Sequence, residues 1–230
     1  MKNLSFTLLF MFLCIKIYAQ ETPVKIVDSL YREDQFYVGI TYNLLGNRPE
    51  SISQSGFSPG LHFGFIRDMP INKGRDIAIG VGLGYSANAF NQNLFISKDV
   101  NDNTTYSVLS SSETYKKNKF SMHLIELPVE LRWRTSTPTE YNFWRIYAGF
   151  KMGYLIINKA KHEGDLGSFN YSSIDDFNKL QYGLTLSLGY NTWNLHMYYA
   201  LNPIFSNDAT LDGNVIDTRA IKVGLMFYIL

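Results

Sequence analysis

The sequence LIELPVELRW, from Leu124 to Trp133, decides the predicted fold. In an extended strand, successive side chains point to opposite faces of the sheet. Five residues of this stretch therefore share one apolar face: Ile125, Leu127, Val129, Leu131 and Trp133. The other face carries the charged side chains together with two apolar ones: Leu124, Glu126, Pro128, Glu130 and Arg132. We interpret this pattern as a strand that separates an apolar environment from a polar one.

The same alternation recurs in seven further stretches, and no helical segment is available to cover so many apolar faces. These stretches are residues 36–44, 57–65, 77–87, 145–154, 182–190, 193–201 and 221–229. Beyond the N-terminus, no apolar run approaches the roughly 18 residues that a membrane-spanning helix requires. The pattern predicts an all-β protein, an eight-stranded antiparallel up-and-down transmembrane β-barrel. Its apolar side chains would face lipid and its polar side chains the lumen.

Glycines in the third stretch, IAIGVGLGYSA from Ile77 to Ala87, alternate with β-branched and other apolar residues. A glycine-rich nucleotide-binding loop has a different spacing, with a strand before it and a helix after it. We therefore expect Gly80, Gly82 and Gly84 to face the lumen and to leave space there for bulkier side chains.

The N-terminus has the three parts of a secretion signal. Lys2 provides the positive charge, residues 4–18 form the apolar segment, and Ile17-Tyr18-Ala19 provides a cleavage site. We expect three regions along the chain: a signal peptide at 1–19, a periplasmic N-terminal tail at 20–34 and an outer-membrane β-barrel domain at 35–230.

The composition argues against several classes of function. A net charge of +1 at pH 7 and the absence of a basic segment of the nucleic-acid-binding type argue against a nucleic-acid partner. Cys14, the one cysteine, lies in the predicted signal peptide, so neither disulfides nor thiol chemistry is expected in the mature chain. The four histidines are far apart in sequence, and no cluster has metal-ligand spacing. We expect no metal and no cofactor.

Catalysis would require a nucleophile and its base on the same face of a strand. Ser121 and His123 meet that condition, but Glu126 lies on the opposite face and cannot complete a triad. The sequence therefore predicts a protein that is not an enzyme.

The connections between the predicted strands alternate between long and short. The long ones are residues 46–56, 88–119, 158–176 and 205–218, and the short ones 69–74, 135–142 and 191–192. In such barrels the short turns face the periplasm and the long loops face the exterior. We expect the apolar segments 94–96 and 106–109 to extend the strands that flank the loop. Three tryptophans flank short turns and predict a periplasmic aromatic girdle: Trp133, Trp144 and Trp193.

The lumen-facing positions carry a set of charged residues that predicts a structural polar network. Opposite charges should pair in a barrel whose interior is just wide enough to be filled by side chains. The predicted members are Glu126, Glu130, Arg132, Arg145, Lys151 and Lys222, with Arg134, His62, Gln181 and His196 beside them. A hairpin centred in residues 137–140 would place Glu126 opposite Lys151, Glu130 opposite Tyr147, and Arg132 opposite Arg145. We expect Glu130 to lie diagonally between these two arginines and to neutralise both.

Several motifs resemble the PorT-type outer-membrane barrels of Bacteroidetes. These are the E-x-P motif of LIELPVELRW, the strand YAGFKMGYL and the segment FNKLQYGLTLSLGY. The resemblance covers about Gln35 to the C-terminus. One departure is the end of the chain, where Phe227 is followed by three more residues, whereas family members tend to end near an aromatic residue. Members of this family are implicated in type IX secretion and gliding, and many relatives are called porin-like.

The resemblance implies an accessory component of cell-envelope machinery, associated with secretion or gliding. Its partners would be outer-membrane lipid and envelope or secretion-system proteins. One alternative is a surface binding or adhesion module, since long loops on a rigid scaffold carry recognition. The long loop at 88–119, rich in Asn, Ser, Thr and Tyr, suits that role, although such a composition also suits a solvated loop. A further alternative is a narrow passive solute channel, which the small predicted diameter disfavours.

Overall fold

The computed structural model describes residues 34–135 and 143–229. The predicted signal peptide, nearly all of the predicted tail and most of the predicted turn at 135–142 lie outside the described residues. None of the described residues forms a helix with the length and hydropathy needed to cross a membrane.

Eight long strands form the wall of a barrel. With strands numbered in chain order, they are β1 (Gln35–Gly46), β2 (Pro59–Pro70), β3 (Ile77–Asn91), β6 (Tyr115–Arg134), β7 (Trp144–Gly164), β9 (Leu180–Tyr190), β10 (Trp193–Ala200) and β13 (Arg219–Ile229). Five short strands lie in the connections: β4 (Leu94–Lys98), β5 (Thr104–Val108), β8 (Gly167–Ser172), β11 (Thr210–Leu211) and β12 (Asn214–Val215).

The wall is closed and antiparallel throughout. Each wall strand pairs with the preceding and following wall strands, and β1 pairs with β13, where Val38 lies opposite Phe227. Closure leaves the wall without a free edge. The predicted eight-stranded up-and-down barrel is therefore confirmed.

Side chains alternate between the two faces of the wall along the long strands, with a break in β7 where Ile156 and Ile157 are both exposed. In β1, for example, Phe36 is 61% exposed whereas Tyr37 is 3% exposed. The outward positions of the other wall strands are mostly Leu, Ile, Val, Tyr and Phe, so they form a continuous apolar belt. A surface of this extent requires an apolar surrounding such as lipid.

The two ends of the barrel differ in the length of their connections. At one end, the turn end, residues 71–76 join β2 to β3, and Asn191 and Thr192 join β9 to β10. Asn191 has φ of 54°, a left-handed conformation that asparagine tolerates better than most residues. At the other end, the loop end, the connections contain all five short strands.

The predicted loop at 158–176 is wrong, because β7 continues to Gly164 and turns back into β8. Gly167, at the start of β8, has φ of 112°, which favours glycine. Along this extension β7 pairs with β6 on one side and with β8 on the other. The wall therefore rises further from the belt at β6 and β7 than elsewhere.

The expected extension of the flanking strands by residues 94–96 and 106–109 is also wrong. These segments pair with each other as β4 and β5, with Ile96 opposite Tyr106. Three consecutive side chains, Leu94, Phe95 and Ile96, are all buried, and a wall strand would leave alternate ones exposed. The wall is extended instead by Phe90 and Phe120, which lie opposite each other.

The register of β6 and β7 is shifted by two residues from the predicted one. Glu126 lies opposite Gly153 rather than Lys151, and Glu130 lies opposite Gly149. A shift of two keeps every side chain on its predicted face, because the side-chain period of a strand is two. The observed register gives each inward glutamate a glycine as its neighbour. A Cβ added at Gly149 would lie 3.0 Å from Cγ of Glu130.

Candidate functional site

The barrel interior has two layers with opposite chemistry. The charged layer, toward the turn end and the middle of the wall, contains three carboxylates and five bases: Asp68, Glu126, Glu130, Arg132, Arg134, Arg145, Lys151 and Lys222. The apolar layer lies toward the loop end, where the loops and short strands form a cap over it. The charged layer therefore contains more basic groups than carboxylates.

Asp68 is the central acceptor of the charged layer at the turn end. Its Oδ1 lies 3.0 Å from Nη1 of Arg132, and its Oδ2 lies 2.8 Å from Nη2 of Arg134. All three side chains have no exposed surface. Arg132 also donates to Oε1 of Gln35 and stacks over the ring of Tyr147, with Cζ 4.0 Å from the ring centroid. Such a cluster is stable only when each charge keeps its partners.

Glycines on β3 make room for this cluster, as the sequence predicted. A Cβ at Gly80 would lie 2.6 Å from Cδ of Arg132, and a Cβ at Gly84 would overlap the hydroxyl of Tyr37. A larger residue at either position would displace a lumen side chain.

Arg145 differs from the other two arginines in its surroundings. It lies directly opposite Arg134, not opposite Arg132 as predicted. Among the described residues no carboxylate forms a salt bridge with it, and its guanidinium stacks on Phe143, 4.4 Å from the ring centroid. Glu130 lies 3.8 Å from Arg132 and forms no salt bridge with Arg145. The predicted neutralisation of both Arg132 and Arg145 by Glu130 is therefore wrong for Arg145.

Glu126 is the centre of the second ionic group, near the middle of the barrel. Its carboxylate lies 3.1 Å from Nζ of Lys151 and 3.9 Å from Nζ of Lys222, and it accepts a 2.7 Å hydrogen bond from Ser86. His62 approaches the same carboxylate at 3.8 Å. The structure thus brings Glu126 and Lys151 together as predicted, although through a diagonal contact rather than a direct cross-strand pair.

The cap is a small folded core rather than a set of solvated loops. Phe120 of β6 contacts Phe177 and Phe205 from two different loops, with ring centroids 5.6 and 5.5 Å apart. Phe177 and Phe205 lie 4.7 Å apart. Aromatic clusters of this kind stabilise a fold beyond the area that they bury.

Polar contacts tie the cap segments to one another. The hydroxyl of Tyr106 in β5 donates a 2.9 Å hydrogen bond to Asp176, which precedes β9. Burial and the nearby Asp176 carboxylate raise the pKa of Tyr106, so its hydroxyl stays a donor at neutral pH. The β4–β5 hairpin is thereby fixed to the loop between β8 and β9.

Two small cavities lie between described residues of the interior. One, of about 20 Å³, lies where the charged and apolar layers meet and is lined by Glu126, Lys151, Lys222, Tyr198 and Phe90. The other, of about 10 Å³, lies beside Glu130 and Tyr228. A cavity must offer about 10–15 Å³ to hold one water molecule, so each is of single-water size.

The three predicted girdle tryptophans lie at the turn end and point outward. Trp144 contacts Tyr190, and Trp193 contacts Phe227, with ring centroids 5.0 and 5.2 Å apart. Trp133 lies opposite Ile77 and Ile146 on the neighbouring strands. Their role as a periplasmic girdle stays a prediction.

The serine and histidine residues form no accessible nucleophilic pair among the described residues. His123 bonds to the hydroxyl of Tyr85 at 2.6 Å rather than to Ser121. Ser187 and His196 lie 2.7 Å apart, but both are buried in the lumen. A polar cleft of about 360 Å³ on the cap contains several aspartates, yet no three described His, Cys, Asp or Glu residues are placed to hold a metal.

Sequence reasoning missed Asp68 and Gln35. A signal for Asp68 was present, since it has the same parity as the inward His62 and Gly64. The predicted second strand stopped at Phe65, three residues too early. Gln35 lies at the first position of β1, where the alternation gives no earlier neighbour to define a face.

Comparisons with known proteins place the chain among outer-membrane barrels. A family model described as "Outer membrane protein beta-barrel domain" matches residues 18–206. Two crystal structures of Ail, the attachment invasion locus protein of Yersinia pestis, are similar, one of them in complex with the heparin analogue sucrose octasulfate. They are 14% and 12% identical in sequence, and each match covers 87% of this chain and 100% of Ail with a TM-score of 0.35. A search of curated proteins finds no match.

Proposed function

Because this chain belongs to the outer membrane protein beta-barrel domain family, we propose that it is a non-enzymatic surface binding protein that presents its cap to the exterior. The chain is an outer-membrane β-barrel, and its environment includes membrane lipid. The long connections of such barrels face the outside of the cell. The cap then contains the residues that an external ligand or partner would meet first.

The observation that carries this proposal is the folded core of the cap. Phe120, Phe177 and Phe205 join the wall to two loops, and Tyr106 joins a third element to them. Recognition surfaces usually consist of loops held in place by a rigid scaffold. Ordering the loops before a ligand arrives reduces the entropy that binding must offset.

The filled interior argues against passage of solutes and against catalysis. The two cavities between its described residues, beside Glu126 and beside Glu130, are of single-water size. The Ser187 and His196 pair is buried in the lumen, where a substrate would not reach it. These observations support a barrel that acts as a scaffold.

A second candidate is the accessory role in envelope machinery that the PorT-type resemblance implies. The residues that carry the resemblance are part of the wall, and Glu126, Pro128 and Glu130 of its E-x-P segment are buried in the lumen. Because the motif lies in the lumen, it supports a barrel structure shared with the PorT-type proteins rather than a shared partner. This role therefore rests on the resemblance alone.

One experiment separates the two candidates. A variant in which the hairpin tips at residues 99–103, 165–166 and 212–213 are replaced by Gly and Ser keeps the buried cap residues. Cells that carry it, wild-type cells and a deletion strain are compared for binding to arrays of glycans and matrix proteins, for secretion of cargo and for surface spreading.

We expect the wild type to bind array components that the tip variant and the deletion strain do not, with normal secretion and spreading in all three. Normal binding by the tip variant, or loss of secretion and spreading in the deletion strain, would overturn the proposal. The second of these results would support the accessory role.

A further inference from the structure

Five lysines lie together on the outward surface at the loop end of β6 and β7. They are Lys116, Lys117 and Lys119 on β6, with Lys159 and Lys161 on β7. Lys119 lies directly opposite Lys161, and Lys159 lies opposite Ser121. The cluster exists because both strands extend beyond the belt, a feature that the sequence analysis did not predict.

Part of this positive charge has no partner in the described chain. Glu163 forms salt bridges with Lys116 and Lys117, at 3.7 and 3.4 Å. Lys119, Lys159 and Lys161 form no salt bridge with any described carboxylate, although Lys161 adds to the positive charge that acts on Glu163. Like charges directly opposite each other across two strands destabilise the pair. The Lys119–Lys161 pair therefore favours an external anion that lies against both ammonium groups.

The neighbours of the cluster identify its level in the membrane. Below it along β7, Ile156 and Ile157 are exposed members of the apolar belt, and along β6 the belt begins at Ile125, after Ser121 and His123. Lys159 is two residues beyond Ile157, which corresponds to about 7 Å along the strand. Lysine stems can cover apolar surface while the ammonium group reaches the polar headgroup region. The cluster therefore lies at the border between acyl chains and headgroups.

Two of the other cationic side chains at the loop end have partners, whereas Arg48 and Lys179 form no salt bridge with a described carboxylate. Lys98 is paired with Asp102 at 2.7 Å, and Arg219 lies 3.4 Å from Asp217. The outward face of β6 and β7 is thus distinguished by three lysines without a salt bridge on two directly paired strands.

We propose that Lys119, Lys159 and Lys161 bind the phosphorylated headgroup of a glycolipid in the outer leaflet. The phosphate would lie between Lys119 and Lys161, and its acyl chains would lie along Ile125, Ile156 and Ile157. A lipid-attached anion fits this surface better than a soluble one, because the apolar belt continues directly from the cluster. The proposal depends on the outer-membrane location and not on the ligand of the cap.

The test uses the full mature chain, folded in zwitterionic detergent and titrated with bisphosphorylated lipid A. Binding is followed by native mass spectrometry for three proteins: wild type, a Lys119→Gln/Lys161→Gln double variant and a Lys73→Gln/Lys98→Gln double variant. The last removes the same charge at two positions away from the cluster. A Lys119→Arg/Lys161→Arg variant keeps the charge and tests for rescue.

We expect the affinity for lipid A to fall roughly thirtyfold in the Lys119/Lys161 glutamine variant, given the usual contribution of a lysine near an anionic membrane surface. The Lys73/Lys98 variant and the arginine variant should bind like wild type, and binding should weaken with added salt.

Dephosphorylated lipid A and soluble dextran sulfate should bind no better to wild type than to the glutamine variant. Equal affinities in all variants, or equal losses in both glutamine variants, would overturn the proposal. Equal capture of dextran sulfate and lipid A would show a general polyanion surface and would also overturn it.

Discussion

The two layers of the barrel interior solve the same packing problem with different interactions. At the turn end and middle, buried charges fill the lumen and are stabilised by the ion pairs that they form, as Asp68 shows with Arg132 and Arg134. At the loop end, Phe120, Phe177 and Phe205 fill it with rings that need no partner of opposite charge. Removing one group from a charged layer lowers stability chiefly because its former partners become uncompensated buried charges. An apolar layer loses only the contacts of the group removed, plus the cavity.

The difference is clearest in an Asp68→Asn variant, for which we expect the largest effect. The substitution removes the carboxylate that the fully buried guanidinium groups of Arg132 and Arg134 share. Breaking a buried ion pair in this way costs about 3–5 kcal/mol. Urea unfolding of the barrel in lipid vesicles measures the change.

The matched control for Asp68→Asn is Asp102→Asn, which removes the carboxylate of the exposed Lys98–Asp102 pair. Surface pairs typically contribute about 0–1 kcal/mol. Similar losses in both variants would mean that water reaches Asp68 and that the charged layer is not dry.

The apolar layer is tested by Phe205→Ala. Truncation of a buried phenylalanine costs about 3–5 kcal/mol, but here we expect about 3 kcal/mol, localised in the cap, because the cap can open without unfolding of the wall. Hydrogen exchange should accelerate in β4, β5 and the loop before β9, while the wall strands keep their protection.

Val100→Ala provides the control, since Val100 is fully exposed at the tip of the β4–β5 hairpin. It should leave exchange unchanged. If Phe205→Ala accelerated exchange equally in the wall and the cap, the cap would be part of the cooperative unit of the wall. The comparison between two separate layers would then fail.

A third test measures pairing inside the charged layer through a double-mutant cycle on Glu126→Gln and Lys151→Met. The 3.1 Å contact predicts a coupling energy of about 1–2 kcal/mol, since Lys222 and Ser86 retain part of the carboxylate's stabilisation in each single variant. The same cycle with Lys222→Met, at 3.9 Å, should give a smaller coupling. Additive losses for Glu126 and Lys151 would show that the two groups do not meet.

The sequence predicts the wall well because the wall obeys a single rule. Period-two alternation assigns Glu126, Lys151 and Lys222 to the lumen, and an error of two residues in register does not change that assignment. The same rule cannot identify the cap, since Leu94, Phe95 and Ile96 are buried in succession. It also cannot identify contacts between lumen charges on strands that are far apart in sequence. The pairing of Asp68 with Arg134 depends on the curvature of a wall that joins residues 66 positions apart.

The smallest expected effect concerns His162, a single polar group beneath the cap. The amide nitrogen of Asn118 donates to the carbonyl oxygens of Gln92 and Leu94, at 2.8 and 3.0 Å. The Oδ1 atom of Asn118 must therefore accept a hydrogen bond from Nδ1–H of His162, at a distance of 3.2 Å. Nε2 of His162 is buried without a hydrogen-bond partner among the described residues. Phe95 packs edge-on against the imidazole, with 4.7 Å between the ring centroids. A second proton on this ring would have no acceptor.

Burial accordingly lowers the pKa of His162, an effect that Glu113 partly opposes. In the unfolded cap the imidazole of His162 binds a proton near pH 6.5, whereas in the folded cap it binds the proton only at lower pH. The cap should therefore lose stability as the pH falls below about 6.5 and until His162 itself protonates.

Hydrogen exchange of β7 and β8 amides at pH 7 and pH 5.5, corrected for the intrinsic rates, measures this loss. A His162→Gln variant, which keeps a donor for Asn118 but does not titrate, should show a smaller difference between the two pH values. If the variant and the wild type showed the same difference in exchange between the two pH values, groups other than His162 would cause the pH dependence of the cap.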